Sequence, residues 1–247
     1  MRGREQEPIR QETQYEKDQR FNWLVFWLHS FRYRAALSVL APIARHKAGR
    51  KLRVVEIGCA HARLYSVLDG SFDIDYTGIE IDPLFVQTAR FRHGGKPNFM
   101  LIHESATTAL SRIENPDVIF ALETLEHIPE PEVVRIVETI AALRPQLFVC
   151  SVPIEIGPAV WLKNIGSFLT GYMRHREYSW RETFWAGLYR LDKLPPHTIT
   201  HKGFDWRWLA QVIRRHMRVV EIRKFPLGFL PAAFAFTAFL VAEPRDK

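Results

Sequence analysis

Cysteine is scarce in this sequence: Cys59 and Cys150 are the only two in 247 residues. Two isolated thiols exclude a disulfide framework and offer no spacing for a thiolate metal site, which suits a reducing cytoplasm. Long hydrophobic runs are missing as well. Residues 1–20 are polar, with five basic and five acidic side chains, and contain no apolar core for a signal peptide. Phe21–Leu28 is strongly aromatic but too short to span a bilayer. Residues 225–242 carry no charge over eighteen positions, yet Pro226, Gly228 and Pro231 break the run, and Phe234, Phe236 and Thr237 favour a strand. Buried sheet is the expectation there, not a membrane span. Internal repeats and low-complexity tracts are also absent, and the apolar and charged fractions are ordinary for a globular protein.

The length allows one well-buried α/β core with decoration. The net charge of +7 is unevenly placed. Between Val160 and Lys224 thirteen Lys or Arg face five Asp or Glu. A solvated basic face accounts for such an excess; an anionic acceptor, acidic phospholipid or RNA would also exploit it.

The most informative stretch is Leu52-Arg-Val-Val-Glu-Ile-Gly-Cys-Ala-His-Ala62, followed by Tyr76-Thr-Gly-Ile-Glu-Ile-Asp82. A β-branched run ends in an acidic residue and a glycine, then in small residues where a strand must become a helix. A second strand closes on Glu80. Small residues at such a turn let backbone N–H groups approach a ligand, and a carboxylate at the second strand end accepts hydrogen bonds from ribose hydroxyls. The layout suits a nucleoside-bearing cofactor laid across the carboxyl ends of parallel strands. A dinucleotide fingerprint requires a further glycine where Arg63 stands, and a large cation there would spoil close helix–strand packing.

The pattern predicts a helix over 21–46, broken near Pro42, that packs its aromatic side onto the domain. It predicts strands at Leu52–Ile57, Tyr76–Ile81, Phe99–His103, Asp117–Leu122 and Leu147–Val152. Helices are expected at Arg63–Leu68, Leu84–Phe91, Pro131–Leu143 and Phe204–His216, with an irregular insertion over 153–200. Arg218–Lys224 and Phe234–Val241 should close the sheet as an antiparallel hairpin. Alternating strands and helices call for a doubly wound, mostly parallel sheet. A strand should then separate Cys59 from Cys150 and prevent a bridge.

Glu56-Ile-Gly-Cys-Ala-His-Ala62, the acidic Glu80 and Asp117-Val-Ile-Phe-Ala-Leu-Glu-Thr-Leu-Glu-His-Ile-Pro129 together resemble the motifs of class I S-adenosylmethionine-dependent methyltransferases. The likeness runs from about Lys51 to Pro153 and resumes at His201. It implies a seven-stranded Rossmann-like methyltransferase fold with an N-terminal helix. The domain would cover 21–247 after a polar tail at 1–20, with a helical cap inserted at about 154–200. It also implies S-adenosylmethionine as cofactor. Glu56 and Gly58 would line its methionine side, Glu80 would hold the ribose, and Glu104 or Ser105 would sit near the adenine. Ala60, Ile81 and Glu123 would complete the pocket. Ala60 and Ala62 stand where the family most often has glycine, and alanine resists positive φ, so the turn must avoid that region or bear strain.

Methyl transfer needs an aligned acceptor and, for a protonated one, a base. His127 and His201 are candidates, and Glu155, in Ser151-Val-Pro-Ile-Glu-Ile-Gly157, would reach a substrate from the site's rim. The absence of an Asn/Asp-Pro-Pro-Tyr run favours an oxygen or carbon acceptor. The acceptor is otherwise unidentified: a small molecule, or a glycan- or lipid-linked one. A second likeness is to small-RNA terminal 2′-O-methyltransferases, which bind a divalent metal. It implies Glu123, Glu126, His127 and His201 as ligands of Mg²⁺ or Mn²⁺, although Gly203 adds a residue between the histidine and Phe204. Under the leading reading no metal is bound. A third reading keeps nucleoside binding without turnover; the intact Glu56, Gly58 and Glu80 weigh against it.

Within the insertion, Trp161, Ile165, Phe168 and Tyr172 fall at helical spacing with Leu162, Leu169 and Met173 alongside. Cap packing explains such a stripe. Interleaved with Lys163, Arg174, Arg176 and Arg181, and with Trp180 and Trp185 nearby, it would also suit peripheral contact with an anionic membrane surface.

Overall fold

The computed structural model describes residues 23–47, 49–170, 178–198, 201–226 and 235–245. Its centre is a seven-stranded sheet: β1 (Leu52–Ile57), β2 (Ile74–Glu80), β3 (Phe99–His103), β4 (Val118–Leu122), β5 (Leu147–Pro153), β6 (Met217–Phe225) and β7 (Thr237–Pro244). The spatial order is β3-β2-β1-β4-β5-β7-β6. The first five strands pair in parallel; β7 lies antiparallel between β5 and β6. The order reverses between β1 and β4, which opens a crevice at their carboxyl ends.

The helices are α1 (Trp23–His46), α2 (Arg63–Asp69), α3 (Pro83–His93), α4 (Ala106–Leu110), α5 (Glu130–Leu143), α6 (Ala159–Thr170), α7 (Trp180–Gly187) and α8 (Trp206–His216). Local chemistry sets their ends. Asp82 caps α3 by accepting from the N–H groups of Leu84 and Phe85, with Pro83 in its first turn. Ser179 and Glu182 form a reciprocal capping box on α7.

Both faces of the sheet are covered, so the strands read as continuous apolar runs. Period-two alternation sorts them. Val55, Ile57 and Ile119 join the core beneath α5 and α8, whereas Leu52, Val54 and Phe120 face the core with Ala36, Leu40, Leu64 and Leu68 of α1 and α2. Asp117 is buried ahead of β4. Its carboxylate accepts from Arg53 N and Arg50 Nη2, each at 2.9 Å, and from Lys47 Nζ, locking the end of α1 to the sheet.

The five parallel strands and the antiparallel closure follow the expectation to within two residues at nearly every boundary. Cys59 and Cys150 are buried and free, with β4 between their strands. α1 continues through Pro42 instead of breaking there. The segment over 153–200 contains α6 and α7, with a small apolar cluster of Val160, Tyr178, Ala186 and Leu194. Residues 225–242 enter β6 and β7 at their two ends, and 227–234 lie outside the described residues. Among the described residues no helix is long and apolar enough to cross a membrane.

Candidate functional site

A cavity of about 810 Å³ opens at the carboxyl ends of β1, β2 and β4. Glu56, the penultimate residue of β1, is buried in its wall and accepts a hydrogen bond from the Tyr76 hydroxyl. Burial pushes its carboxyl up to about 8, against the pull of Tyr76 and the Arg32 charge. Gly58 follows at φ +65, and a Cβ there would lie 2.3 Å from Thr124 Cγ2, so both conformation and space require glycine.

Ala60 and Ala62 take φ values of 46 and 54. The turn therefore uses the left-handed region that alanine resists, at a cost of roughly 1–2 kcal/mol each. Compensation at Ala60 comes from Glu80: Oε2 accepts the Ala60 N–H at 2.8 Å, and Oε1 accepts those of Ile81 and Asp82 at 2.8 and 2.9 Å. Glu80 lines the cavity and is also the brace of its floor.

Ile81 borders the cavity and is 66% exposed, beside Phe85, whose ring packs edge-on against His61. Glu104 and Ser105 line the same side. Glu104 pairs with Arg112, which holds its carboxyl below the usual range, and Ser105 caps α4 through Thr108 N. Sequence reasoning missed Arg32 and Tyr33. They bring α1 to the cavity, and the largely buried Arg32 charge acts on both Glu56 and Glu126. The available signal was a cation within an apolar helix.

Beyond β4 the chain turns at Glu123, whose φ is 52. Its N–H donates to Ser151 O, and its Oε1 accepts from Ser151 Oγ at 3.0 Å. Glu126 is fully buried, and among the described residues neither of its carboxylate oxygens has a hydrogen-bond partner. His201 Nδ1 lies 3.6 Å and His127 Nε2 4.0 Å from Glu126 Oε1. The two imidazoles meet edge-on at 4.5 Å between centroids. Burial, then repulsion from Glu123, raises the Glu126 carboxyl well above its ordinary value.

One ligand atom from each of Glu126, His127 and His201 falls within a 4.8 Å cluster. A buried carboxylate without a hydrogen bond is costly unless protonated or matched by a cation, and two imidazoles with one carboxylate fit a divalent transition-metal ion such as Mn²⁺ better than Mg²⁺, which prefers oxygen ligands alone. Glu123, expected as a fourth ligand, lines the cavity but stands outside that cluster, its carboxylate turned to Ser151.

Glu155 is not at the rim. It is completely buried, pairs with Lys163 Nζ at 3.2 Å and accepts from the Tyr178 hydroxyl, so it does not reach a substrate in the cavity. Lys163 is thereby withdrawn from the surface. The aromatic stripe is divided: Trp161 is half-buried and donates to Thr183 O, Ile165 and Phe168 are exposed, and Tyr172, Met173, Arg174 and Arg176 lie outside the described residues.

Residues 54–146 match the Methyltransferase domain family. No curated protein sequence matches the chain. Solved structures share its fold at low identity. Magnesium protoporphyrin IX methyltransferase (ChlM) from Synechocystis PCC 6803 with bound SAH superposes at a TM-score of 0.61 and 14% identity, over 95% of each chain. The methyltransferase domain of bacterial CtHen1-C superposes at 0.60 and 18% identity, over 88% of this chain and 98% of the other. The CurJ carbon methyltransferase gives 0.61 and 14%, over 94% and 58%. With the strand order, the Glu56–Ala62 turn and Glu80 in place, the chain has the class I S-adenosylmethionine-dependent methyltransferase fold, and residues 54–146 match the methyltransferase domain family model.

Proposed function

We propose that this chain moves a methyl group from S-adenosylmethionine to an acceptor that enters beside His127 and His201. The observation that carries this reading is the single cavity running from Glu80 and Ser105 past Glu56 to Glu123, His127 and His201. Its two ends suit the two halves of such a reaction. Glu80 spends three acceptor positions on backbone N–H groups, and a carboxylate offers about four, which leaves capacity for a ribose hydroxyl. Ile81 supplies an exposed apolar face and Ser105 a hydroxyl for the base. Glu56 and Gly58 border the space for the amino-acid end.

The donor supplies a methyl carbon activated by the adjoining sulfonium. The acceptor's lone pair forms the new bond as the carbon–sulfur pair leaves on sulfur. The residues here must align acceptor, carbon and sulfur, and take a proton when the acceptor carries one. His127 and His201 are the cavity-lining imidazoles at the β4 end, and each is placed to take that proton.

A second reading is favoured by the Glu126 carboxylate, which makes no hydrogen bond among the described residues yet faces two imidazoles. Glu126, His127 and His201 would hold a divalent cation, which lowers the pKa of a hydroxyl bound to it. The acceptor would then be the 2′-hydroxyl of an RNA 3′-terminal ribose. The similarity of the CtHen1-C domain supports this reading, as does the basic excess over 160–224.

Transfer of labelled methyl groups from S-adenosylmethionine to small-molecule, glycolipid and short-RNA pools, each with EDTA or Mn²⁺, tests both. Labelling indifferent to chelator removes the metal. Labelling of RNA that EDTA abolishes and Mn²⁺ restores selects the second reading. Purified protein that labels no pool and fails to bind the donor overturns both.

A further inference from the structure

Glu155 has no access to the cavity, yet it anchors a buried chain of hydrogen bonds that ends beside His201. Its Oε1 accepts from Lys163 Nζ. The same ammonium donates to Ile154 O at 2.8 Å and Phe236 O at 2.9 Å, so the carboxylate is fixed to the end of β5 and the chain entering β7. Glu155 Oε2 accepts the Tyr178 hydroxyl hydrogen at 3.3 Å. With that hydrogen committed, the hydroxyl oxygen presents a lone pair to Gly203, whose N–H donates to it at 3.0 Å.

Gly203 belongs to the turn His201–Phe204, which is closed by Phe204 N donating to His201 O and holds Gly203 at φ +76. Two further contacts grip this turn. Lys202 Nζ pairs with Glu182 Oε1 at 2.6 Å, and Lys202 O is 3.1 Å from His197 Nδ1. These three polar contacts come from residues 178–197, and Phe204 also packs against His197 and Trp208. The group that His201 approaches, Glu126, lies just past β4.

We propose that Tyr178 is a positioning residue for His201: its hydroxyl, oriented by Glu155, fixes the His201–Phe204 turn so that the imidazole stays against Glu126 and His127. The proposal rests on the reading that these three residues are a working cluster of the site. Tyr178 also packs with Val160, Ala186 and Leu194. Packing alone would make its hydroxyl dispensable to His201. The hydrogen-bond chain makes the hydroxyl specifically responsible for the imidazole's place.

The test is Tyr178→Phe, which keeps the ring and deletes the hydroxyl. Metal-free protein carrying ¹³C-labelled histidine is compared with wild type by NMR, the ring signals being assigned with His127→Gln and His201→Gln. The His201 and His127 signals should shift or broaden because their edge-on contact loosens. Those of His61 and His93, packed on Phe85 and Tyr65, should not move. Tyr189→Phe, a hydroxyl deletion elsewhere in the same segment, should leave all four unmoved. Mn²⁺ binding followed by electron paramagnetic resonance should weaken about tenfold in Tyr178→Phe, while the thermal shift produced by S-adenosylhomocysteine stays at the wild-type value.

Unmoved His201 signals in Tyr178→Phe overturn the proposal, whatever happens to its melting temperature. A wild-type protein that takes no Mn²⁺ removes the metal reading, and the NMR comparison still decides the positioning role. If Tyr178→Phe fails to fold, Glu155→Gln replaces it: with the amide oxygen kept toward Lys163, the amide nitrogen faces the Tyr178 hydroxyl and turns its hydrogen toward Gly203 N–H, breaking the chain. Smaller shifts of the same two rings are then expected, and their absence is equally fatal.

Discussion

Glu80 Oε2 accepts the backbone N–H of Ala60 at 2.8 Å, tying the carboxylate that ends β2 to the turn that leaves β1. One side chain thereby shapes the floor of the cavity and presents itself to whatever lies on that floor. Structure and ligand binding are coupled at this residue, and substitutions there should not separate them.

Glu80→Gln keeps the size but halves the acceptor capacity, and an amide nitrogen is turned toward N–H groups. At least one of the Ala60, Ile81 and Asp82 N–H groups loses its partner, at about 1–3 kcal/mol. Urea unfolding should register that loss. Calorimetric titration should register a fall of at least tenfold in S-adenosylhomocysteine affinity. A variant with normal stability and normal affinity would contradict both roles.

Ala60→Gly should raise stability. Ala60 sits at φ 46, where glycine is unstrained, and the gain of roughly 1–2 kcal/mol is partly offset by the greater freedom of glycine in the unfolded chain. A net increase of about 0.5–1 kcal/mol is expected in urea unfolding. A loss would mean that the alanine methyl is worth more than the strain it causes.

The buried Glu56 makes stability depend on pH. Its carboxyl titrates near 8 in the folded protein against an ordinary value of 4.5, so the native state keeps a proton that the unfolded chain has released. The stability tied to this group is fully present below about pH 4.5 and is lost as pH rises toward 8, at up to about 1.4 kcal/mol per unit. Glu126 shifts in the same direction, so the informative quantity is the difference between wild type and Glu56→Gln. The variant's ligand-free stability curve should be flatter over this window. Parallel curves would show that Glu56 titrates normally.

Glu126→Gln should abolish metal binding, because an amide is a far poorer metal ligand than a carboxylate. Mn²⁺ binding should disappear in the same variant. Retained Mn²⁺ affinity would place any bound ion elsewhere.

The sheet was legible in the sequence because parallel strands covered on both faces are continuous β-branched and aromatic runs. Glu56, Gly58 and Glu80 followed from the same runs, since strand ends fix where these residues stand. Glu126, His127 and His201 come together as the motif likeness implies, whereas Glu123 is diverted to Ser151 by a left-handed backbone that its identity does not announce. Glu155 was misplaced because its burial depends on Lys163 and Tyr178, which arrive from a segment without strand periodicity. The strain at Ala60 is outweighed by hydrogen bonding to a carboxylate twenty positions away, a tertiary effect invisible to local propensity. α4 spans five residues, too few to show a helical period.

The most direct measurement is the melting temperature of the purified protein with and without S-adenosylhomocysteine. A ligand bound only by the native state at about a hundred times its dissociation constant adds roughly 2.7 kcal/mol. A clear upward shift that Glu80→Gln diminishes is the expected result. No shift at saturating ligand would leave the fold intact and contradict the assignment of this cavity to S-adenosylmethionine.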